Sequence, residues 1–200
     1  MRKTLITAFA LTAFLGINSV ANAALLTPVS YGSIGGVNNT INLADGVFPP
    51  QGGQWQTNTA WWTGTTPGAG IDLGELKNID DVLVSVDNND SYAVEWSLDN
   101  SSWNNLFNIS SSYGEIGWGM DTMSTDSTHA EYIAALDFSS VQARFLRIYA
   151  TGGDNYYSVG ELQAFGSDIS AVPVPAAVFM FAPALLGFLG LRRKAKNTVA

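Results

Sequence analysis

Residues 82–97 read VLVSVDNNDSYAVEWS, and this stretch decides the fold class. Side chains alternate with a period of two over residues 82–86 and again over residues 92–96, which is typical of half-buried strands. The intervening residues 88–90 (NND) favour a tight turn. The stretch therefore predicts a β-hairpin.

The same period of two recurs on both sides of this hairpin, and helical periodicity is nearly absent between residues 24 and 171. Regular strands separated by Gly, Asn and Asp turns predict an all-β sandwich. The additional predicted strands are residues 103–109, 144–150 and 159–165, with short edge or bridging strands at residues 70–73 and 136–138. Residues 41–69 form the longest segment without a predicted strand, and an ordered loop of this length is often functional.

Composition excludes several kinds of site. The 200-residue chain has no cysteine and one histidine, which excludes disulfides, thiolate metal centres, cysteine nucleophiles and multi-histidine metal sites. Residues 24–171 hold all 17 acidic residues but only three basic ones, giving this segment a net charge of −14. We therefore expect it to bind neither nucleic acid nor anionic lipid, and to suit calcium, neutral polymers or cationic partners.

The N-terminus has the pattern of a secretory signal peptide, residues 1–23. Arg2 and Lys3 precede a mostly apolar stretch, and residues 21–23 (ANA) supply the small residues of a cleavage site. We predict cleavage after Ala23. The alternative is a membrane anchor, although the apolar stretch is short for a span of about 20 residues.

The C-terminus combines three features in a fixed order. Residues 172–176 (VPVPA) are extended because two prolines cannot enter a helix interior. An apolar stretch long enough to span a bilayer follows, and the basic cluster Arg192, Arg193 and Lys194 should stay cytoplasmic. Together with the signal peptide, this arrangement predicts a chain body outside the inner membrane. A plain C-terminal anchor is the alternative.

This order resembles a PEP-CTERM sorting signal of the VPLPA variant over residues 172–196, leaving residues 197–200 as a tail. One motif position departs, with Val174 in place of leucine. The motif residues are Val172, Pro173, Val174, Pro175 and Ala176. The resemblance implies recognition by an exosortase in a Gram-negative bacterium, cleavage near the motif, transient contact with the inner membrane through the C-terminal helix, and delivery to the cell surface or extracellular matrix.

The body, residues 24–171, carries a second resemblance, in a collinear series of short motifs. They are residues 45–46 (DG), 58–61 (NTAW), 71–74 (IDLG), 96–99 (WSLD), 102–103 (SW), 143–148 (ARFLRI) and 157–162 (YSVGEL). The series resembles the discoidin family, also called the coagulation factor 5/8 C-type domain. The resemblance implies an eight-stranded, galactose-binding-like jelly-roll sandwich that binds sugars, lipids or proteins through variable loops. This chain departs by an insertion between residues 46 and 58.

The discoidin resemblance also implies a structural calcium between the early Asp-Gly loop and the last strand. By position its ligands would be Asp45, Thr59 and Glu161, with backbone carbonyls completing the six to eight oxygens that calcium takes. The alternative is that Asp45 only forms a turn and Glu161 is a solvated strand residue. Residues 88–90 are a weaker cation candidate.

Aromatic residues in Gly- and Thr-rich stretches are the candidate ligand contacts. Exposed indoles stack on sugar rings while neighbouring polar groups bind the hydroxyls. The candidates are Trp55, Trp61, Trp62, Trp118, Tyr156 and the single histidine, His129. The alternative is that the tryptophans fill the ends of the sandwich and His129 is an ordinary loop residue.

Catalysis requires convergent reactive groups, and the sequence contains no G-x-S-x-G, H-E-x-x-H or phosphate-binding loop. We therefore expect no enzyme but a secreted, surface-sorted module that binds extracellular polysaccharide or a surface glycan, with calcium stabilising its loops. The alternatives are a structural matrix or surface protein that binds other proteins and a glycan-cleaving enzyme that uses a carboxylate pair.

Overall fold

A computed structural model describes residues 23–169, and through Ser167 they belong to one compact unit. The fold is all-β, as predicted. The nine strands are β1 (Ala24–Leu26), β2 (Ser30–Ile34), β3 (Ala60–Thr63), β4 (Gly68–Asp87), β5 (Ser91–Ser97), β6 (Asn104–Ile109), β7 (Met120–Ser124), β8 (Val141–Gly152) and β9 (Tyr156–Asp168). Two short 3₁₀ helices occupy Thr40–Leu43 and Ala134–Leu136.

The strands form an antiparallel network in the order β1-β9-β4-β8-β5-β6. Three further strands pair off this path: β2 and β7 with β4, and β3 with β9. Both β1 and β3 therefore lie beside the last strand, although more than 90 residues separate them from it in sequence. The result is a jelly roll whose early and late segments are neighbours.

Strand β4 joins the two halves of the jelly roll. Residues 68–72 pair with both β2 and β8, whereas residues 83–87 pair with β7. The register shifts between Asp72 and Lys77, where Gly74 has a φ of 81° that few other residues adopt. The Gly74 amide donates to Asp72 Oδ1 at 2.7 Å and fixes the bend.

The core lies between the sheet layers and is built from alternate strand residues. Aliphatic side chains of β4, β5 and β8 fill most of it, with an aromatic cluster near the β3–β9 pair. The largest fully buried side chains include Trp62, Tyr92, Tyr157, Ile79, Ile109, Leu146, Ile148 and Leu162. This apolar burial supplies the main driving force for folding without any disulfide.

The structure confirms the strands predicted at residues 82–86 and 92–96 and the turn at residues 88–90 between them. The predicted hairpin is wrong, because residues 83–87 of β4 pair with β7, whereas β5 pairs with β6 and β8. The structure also confirms the strands predicted at residues 103–109, 144–150 and 159–165, with small shifts of their ends, and residues 70–73 belong to the long β4. The strand predicted at residues 136–138 is wrong. There the chain forms a 3₁₀ helix, with the Leu136 amide donating to the Ile133 carbonyl at 2.9 Å.

The predicted signal peptide up to residue 22 and the predicted sorting signal lie outside the described residues. Between residues 23 and 169 no helix is long and apolar enough to cross a bilayer.

Candidate functional site

Four loops meet at one end of the jelly roll. They are residues 50–59 before β3, 88–90 between β4 and β5, 110–119 between β6 and β7, and 153–155 between β8 and β9. We call these four loops the rim. Their hydrogen bonds and ring contacts link each loop to the next, and together the links form a closed circuit.

The first link joins loops 50–59 and 110–119. Gln51 Nε2 donates to Glu115 Oε2 at 2.9 Å, and Gly52 N donates to the Met120 carbonyl at 2.8 Å. A Cβ placed on Gly52 would lie 3.4 Å from the ring of Trp118, so that indole lies directly against the loop.

The remaining links pass through the turn at residues 88–90. Asn88 Nδ2 donates to the Ile116 carbonyl, and Asn89 Nδ2 donates to Asp154 Oδ2 at 3.1 Å. The circuit closes beside β3, where Tyr156 contacts the ring of Trp55 with 5.7 Å between centroids.

Asp121 is the carboxylate on which the first two links converge. It is buried, and its Oδ2 accepts the amide of Glu115 at 2.8 Å and lies 3.4 Å from Asn88 Nδ2. Its Oδ1 accepts Gln51 Nε2 at 3.3 Å. A buried carboxylate with several donors is well satisfied and rigidifies the groups that it binds.

Three of the predicted ligand contacts come together on the rim. The rings of Trp55 and Trp61 meet edge to face with 5.6 Å between centroids, and Tyr156 packs against Trp55 from the other side. Tyr156 is 51% exposed. Trp118 is 67% exposed on the neighbouring loop of the same rim. The rim therefore presents aromatic surface to solvent.

Two predicted contacts lie elsewhere. Trp62 is 1% exposed and packs in the core against Tyr92 and Tyr157, which corrects its assignment as a ligand contact. Trp61 and Trp62 are consecutive on β3, so their side chains point to opposite faces of the sheet.

The other is His129, beyond the end of β7 that is farther from the rim. It lines a separate cavity of about 730 Å³ together with Asp80, Asp81 and Asp126. His129 Nδ1 accepts the amide of Glu131 at 3.1 Å. The structure therefore does not bring His129 together with the aromatic residues of the rim.

The three predicted calcium ligands lie around the base of loop 50–59. Glu161 Oε1 accepts the Gly46 amide at 3.0 Å, and Asp45 lies close enough to Glu161 to raise its pKa further. Thr59 Oγ1 donates to the carbonyl of Trp55, directly beneath the aromatic cluster. Within the described residues, no group of three acidic or histidine side chains converges closely enough to hold a metal by itself.

Glu161 is the unusual member of this set. It is 1% exposed, its Oε2 has no hydrogen-bond partner, and burial raises the pKa of its carboxyl group. A buried carboxylate oxygen without a donor is costly unless a cation or a proton neutralises it. The Asp45 carboxyl group is the neighbour of Glu161, and oxygen atoms are the donors that calcium takes.

Two further carboxyl groups are buried beneath the rim, at the turn between β4 and β5. Burial raises the pKa of Asp87 to about 6 and that of Asp90 to about 7, and the neighbouring Asp154 carboxylate raises both further. From the sequence alone, residues 88–90 are only a weak cation candidate. The burial of Asp87 and Asp90 was the missing information, since Asp in a turn is ordinarily exposed.

The basic residues of the described chain lie on strands and not in the rim loops. Arg144 forms a bidentate pair with Asp72, with nitrogen–oxygen distances of 2.8 and 2.9 Å. Arg147 donates through Nε to Glu95 Oε2 at 2.6 Å and stacks 4.2 Å from the ring centre of Trp103. The rim loops therefore contain carboxylates but no Lys or Arg.

Comparison with known proteins gives matches at the level of structure alone. No protein-family model and no curated protein matches the chain. A truncated AlyQ with CBM32 and alginate lyase domains is 17% identical with a TM-score of 0.52, covering 78% of this chain and 37% of that one. The chain therefore shares the jelly-roll fold of that structure.

Two solved carbohydrate-binding modules are also similar. The CBM32 of AlyQ in complex with 4,5-unsaturated mannuronic acid is 16% identical with a TM-score of 0.49, covering 70% of this chain and 97% of that one. A fucose-binding module of Streptococcus pneumoniae is 13% identical with a TM-score of 0.49, covering 69% and 91% respectively.

Proposed function

We propose that the described jelly roll is a non-catalytic module that binds a glycan on its rim. The observation that carries the proposal is the aromatic cluster in which exposed Tyr156 packs on half-buried Trp55 and Trp61, with exposed Trp118 on the neighbouring loop. Aromatic faces stack on the apolar faces of sugar rings, while carboxylate and amide groups bind the hydroxyls. Glu115 and Gln51 supply such groups beside Trp118.

The charge of the rim favours one class of glycan. Its loops carry Glu115 and Asp154, both exposed, and no basic residue that would pair with a uronic acid or a sulfate. We therefore expect an uncharged or amino-bearing polysaccharide. Extracellular matrix polysaccharide is the proposed ligand in the cell.

A glycan array containing neutral, amino-bearing and uronic acid polymers tests this function. Tyr156→Ala and Trp118→Ala should each weaken binding at least tenfold, since stacking contributes about 0.5–1.5 kcal/mol beyond the apolar area that is buried. The matched control is Leu98→Ala, because Leu98 is equally exposed but follows β5 at its other end. Absence of binding to every polymer, with and without calcium, would remove the proposal.

Calcium is proposed as a structural ligand of the same module. Asp45, Thr59 and Glu161 would hold it, and the buried oxygen of Glu161 without a donor supports that assignment. When bound, calcium would neutralise Glu161 and hold the base of loop 50–59. At a free concentration of about 100 times its dissociation constant it would add roughly 2.7 kcal/mol to stability. A melting temperature that is identical in calcium and in chelator would exclude the site.

Secretion and sorting are proposed from the terminal segments. Residues 1–23 would direct export, and residues 172–196 would be recognised by an exosortase, leaving the module at the cell surface or in the matrix of a Gram-negative bacterium. Mass spectrometry of the mature protein is the test. A chain that still extends through Lys196 would rule out this processing.

A structural protein that binds other proteins is the alternative from a different class. The array separates it from the glycan module, because a purely structural protein gives no glycan signal. A glycan-cleaving enzyme would release sugar from the polymer, and an acid-to-amide substitution would abolish that release.

A further inference from the structure

Three carboxyl groups lie near one another beneath the rim, close enough to affect the pKa values of Asp87 and Asp90. We call Asp87, Asp90 and Asp154 the turn cluster. Asp90 is 0% exposed and Asp87 is 4% exposed, whereas Asp154 lies at the surface. No basic residue occurs in the rim loops that surround them. Buried carboxylates with neither a cation nor sufficient donors are costly in their charged form.

The loop at residues 153–155 rests directly on Asp90. Asp90 Oδ1 accepts the Asp154 amide at 3.0 Å, and a Cβ placed on Gly153 would lie 1.7 Å from the same oxygen. Gly153 also has a φ of 138°, which residues with a side chain rarely adopt. The close approach therefore requires glycine, and the loop covers the Asp90 carboxyl group.

Asp154 transmits that contact to the aromatic surface. Its Oδ1 accepts the Tyr156 amide at 2.9 Å, and its Oδ2 accepts Asn89 Nδ2 at 3.1 Å. Tyr156 in turn contacts Trp55. A continuous set of hydrogen bonds therefore runs from the buried Asp90 to an exposed ring of the rim.

The groups that face Asp90 come from four elements. They are Asp87 at the end of β4, Tyr92 on β5, Asp154 in the loop, and Tyr157 on β9. None of them is a cation. Burial raises the pKa of both tyrosines, that of Tyr92 well above 10, so neither supplies a charge near neutral pH.

Counting protons at Tyr92 shows which state of Asp90 fits. The Tyr92 hydroxyl has one proton and lies 3.2 Å from the Ser158 carbonyl, its shorter contact, and 3.5 Å from Asp90 Oδ2. If Tyr92 donates to Ser158, Asp90 Oδ2 has no donor there. The Tyr92 oxygen also accepts the Ser158 amide at 3.2 Å, so a protonated Asp90 would be its second donor and Asp90 Oδ2 would be satisfied.

We propose that the turn cluster is a pH-dependent latch, in which protonated Asp90 holds loop 153–155 and Tyr156 in place and loss of that proton releases them. The raised pKa values of Asp90 and Asp87 place this change near neutral pH. In an open loop Asp90 would reach water and its pKa would return towards 3.8.

Linkage gives the direction and steepness of the change. Because the closed loop binds the proton more tightly than the open loop, the closed form is fully favoured at acidic pH. Above the raised pKa of Asp90, deprotonation of the closed form is complete and the ratio of open to closed loop reaches a plateau. Between the two pKa values that ratio rises by up to about tenfold for each pH unit.

Hydrogen exchange at the Asp154 amide tests the latch in the intact chain with no glycan present. The rate is divided by that of an unstructured peptide at the same pH, because intrinsic exchange also accelerates with base. The protection of this amide should fall by up to about tenfold per pH unit below neutral pH, and then level off. Constant protection from acidic to alkaline pH would overturn the proposal.

Asp90→Asn is the decisive variant. Its amide keeps an oxygen for the Asp154 amide and a donor for the Tyr92 oxygen, so it resembles the protonated acid at every pH. Protection at alkaline pH should then equal that of the wild type at acidic pH. A variant that loses protection with pH as the wild type does would contradict the latch.

Asp87→Asn provides a second measurement should the first variant fail to fold. Removing the Asp87 charge lowers the pKa of Asp90, so the loss of protection should end at a lower pH than in the wild type. An unchanged or higher end point would contradict the proposal. Asp126→Asn is the matched control, since this half-buried carboxylate lies in the loop after β7, away from the turn cluster, and the profile should be unchanged.

The latch would lower glycan affinity as pH rises, and only this consequence rests on the proposed function. If no glycan binds on the array but the protection of the Asp154 amide depends on pH, the proposed function is wrong and the latch stands. If a glycan binds but the protection is constant with pH, the latch is wrong and the proposed function stands.

Discussion

Replacement of Trp62 separates a core residue from the exposed aromatic residues of the rim. Trp62 is buried, with ring centroids 6.4 Å from both Tyr92 and Tyr157. Trp62→Ala should therefore lower the free energy of unfolding by about 3–5 kcal/mol, the usual cost of removing a large aromatic side chain from a core. For a domain of this size that is roughly 6–20 °C in melting temperature.

Trp62→Phe should be much milder, for a reason specific to this position. The indole Nε1 is buried and has no hydrogen-bond partner. An unmade bond of this kind costs about 1–3 kcal/mol, and phenylalanine removes the donor while keeping most of the ring contacts. The two effects offset each other, and we expect a stability within about 1 kcal/mol of the wild type.

Urea unfolding followed by far-ultraviolet circular dichroism is the assay, because fluorescence would change with the tryptophan itself. Trp118→Ala is the control, and it should change stability by no more than about 0.5 kcal/mol because Trp118 is largely exposed. If Trp62→Phe lowers the free energy of unfolding as much as Trp62→Ala does, the unpaired indole nitrogen does not destabilise the wild type, contrary to this prediction.

Three further predictions concern stability. Arg147→Met should cost roughly 1.5–3 kcal/mol in urea unfolding, because it removes a charged hydrogen bond from a carboxylate on β5, and full stability in this variant would show that the pair is negligible. Gly166→Ala should prevent stable folding, since its Cβ would lie 1.8 Å from a carbonyl of β4, whereas Gly117→Ala has open space; similar melting curves for the two would contradict the packing. In chelator, the free energy of unfolding should fall as pH rises from about 4 to about 7. The reason is that the raised pKa values of Asp87 and Asp90 make the folded protein hold more protons than the unfolded chain over this range. Calorimetry of Asp90→Asn should show a smaller fall than the wild type, and an equal fall would assign the effect to other groups.

The period of two in residues 82–97 predicted two strands, although all of residues 82–87 are buried in the structure. It did not predict β2, because all five of its residues are exposed and no apolar face marks the strand. It also missed β7, a five-residue strand in which only one side chain is not buried, so that no period of two is visible.

Only part of the candidate site was predictable from the sequence. A Trp-rich loop suggested ligand contacts, and the fold places Trp55, Trp61 and Tyr156 together. Without a predicted strand at β3, however, nothing distinguished the two faces on which Trp61 and Trp62 lie. The burial of Asp90 depends on a loop more than 60 residues later in the chain, which no local pattern records.

The pairing of β1 and β3 with the last strand has a consequence for folding. Leu25 lies opposite Phe165, and Trp62 lies opposite Tyr157. A chain that emerges from its N-terminus cannot complete either pair until almost the whole domain has been synthesised. Folding that waits for such distant partners is slow. The nascent chain therefore stays unfolded until late in its synthesis. Passage through a narrow protein-conducting channel requires an unfolded chain.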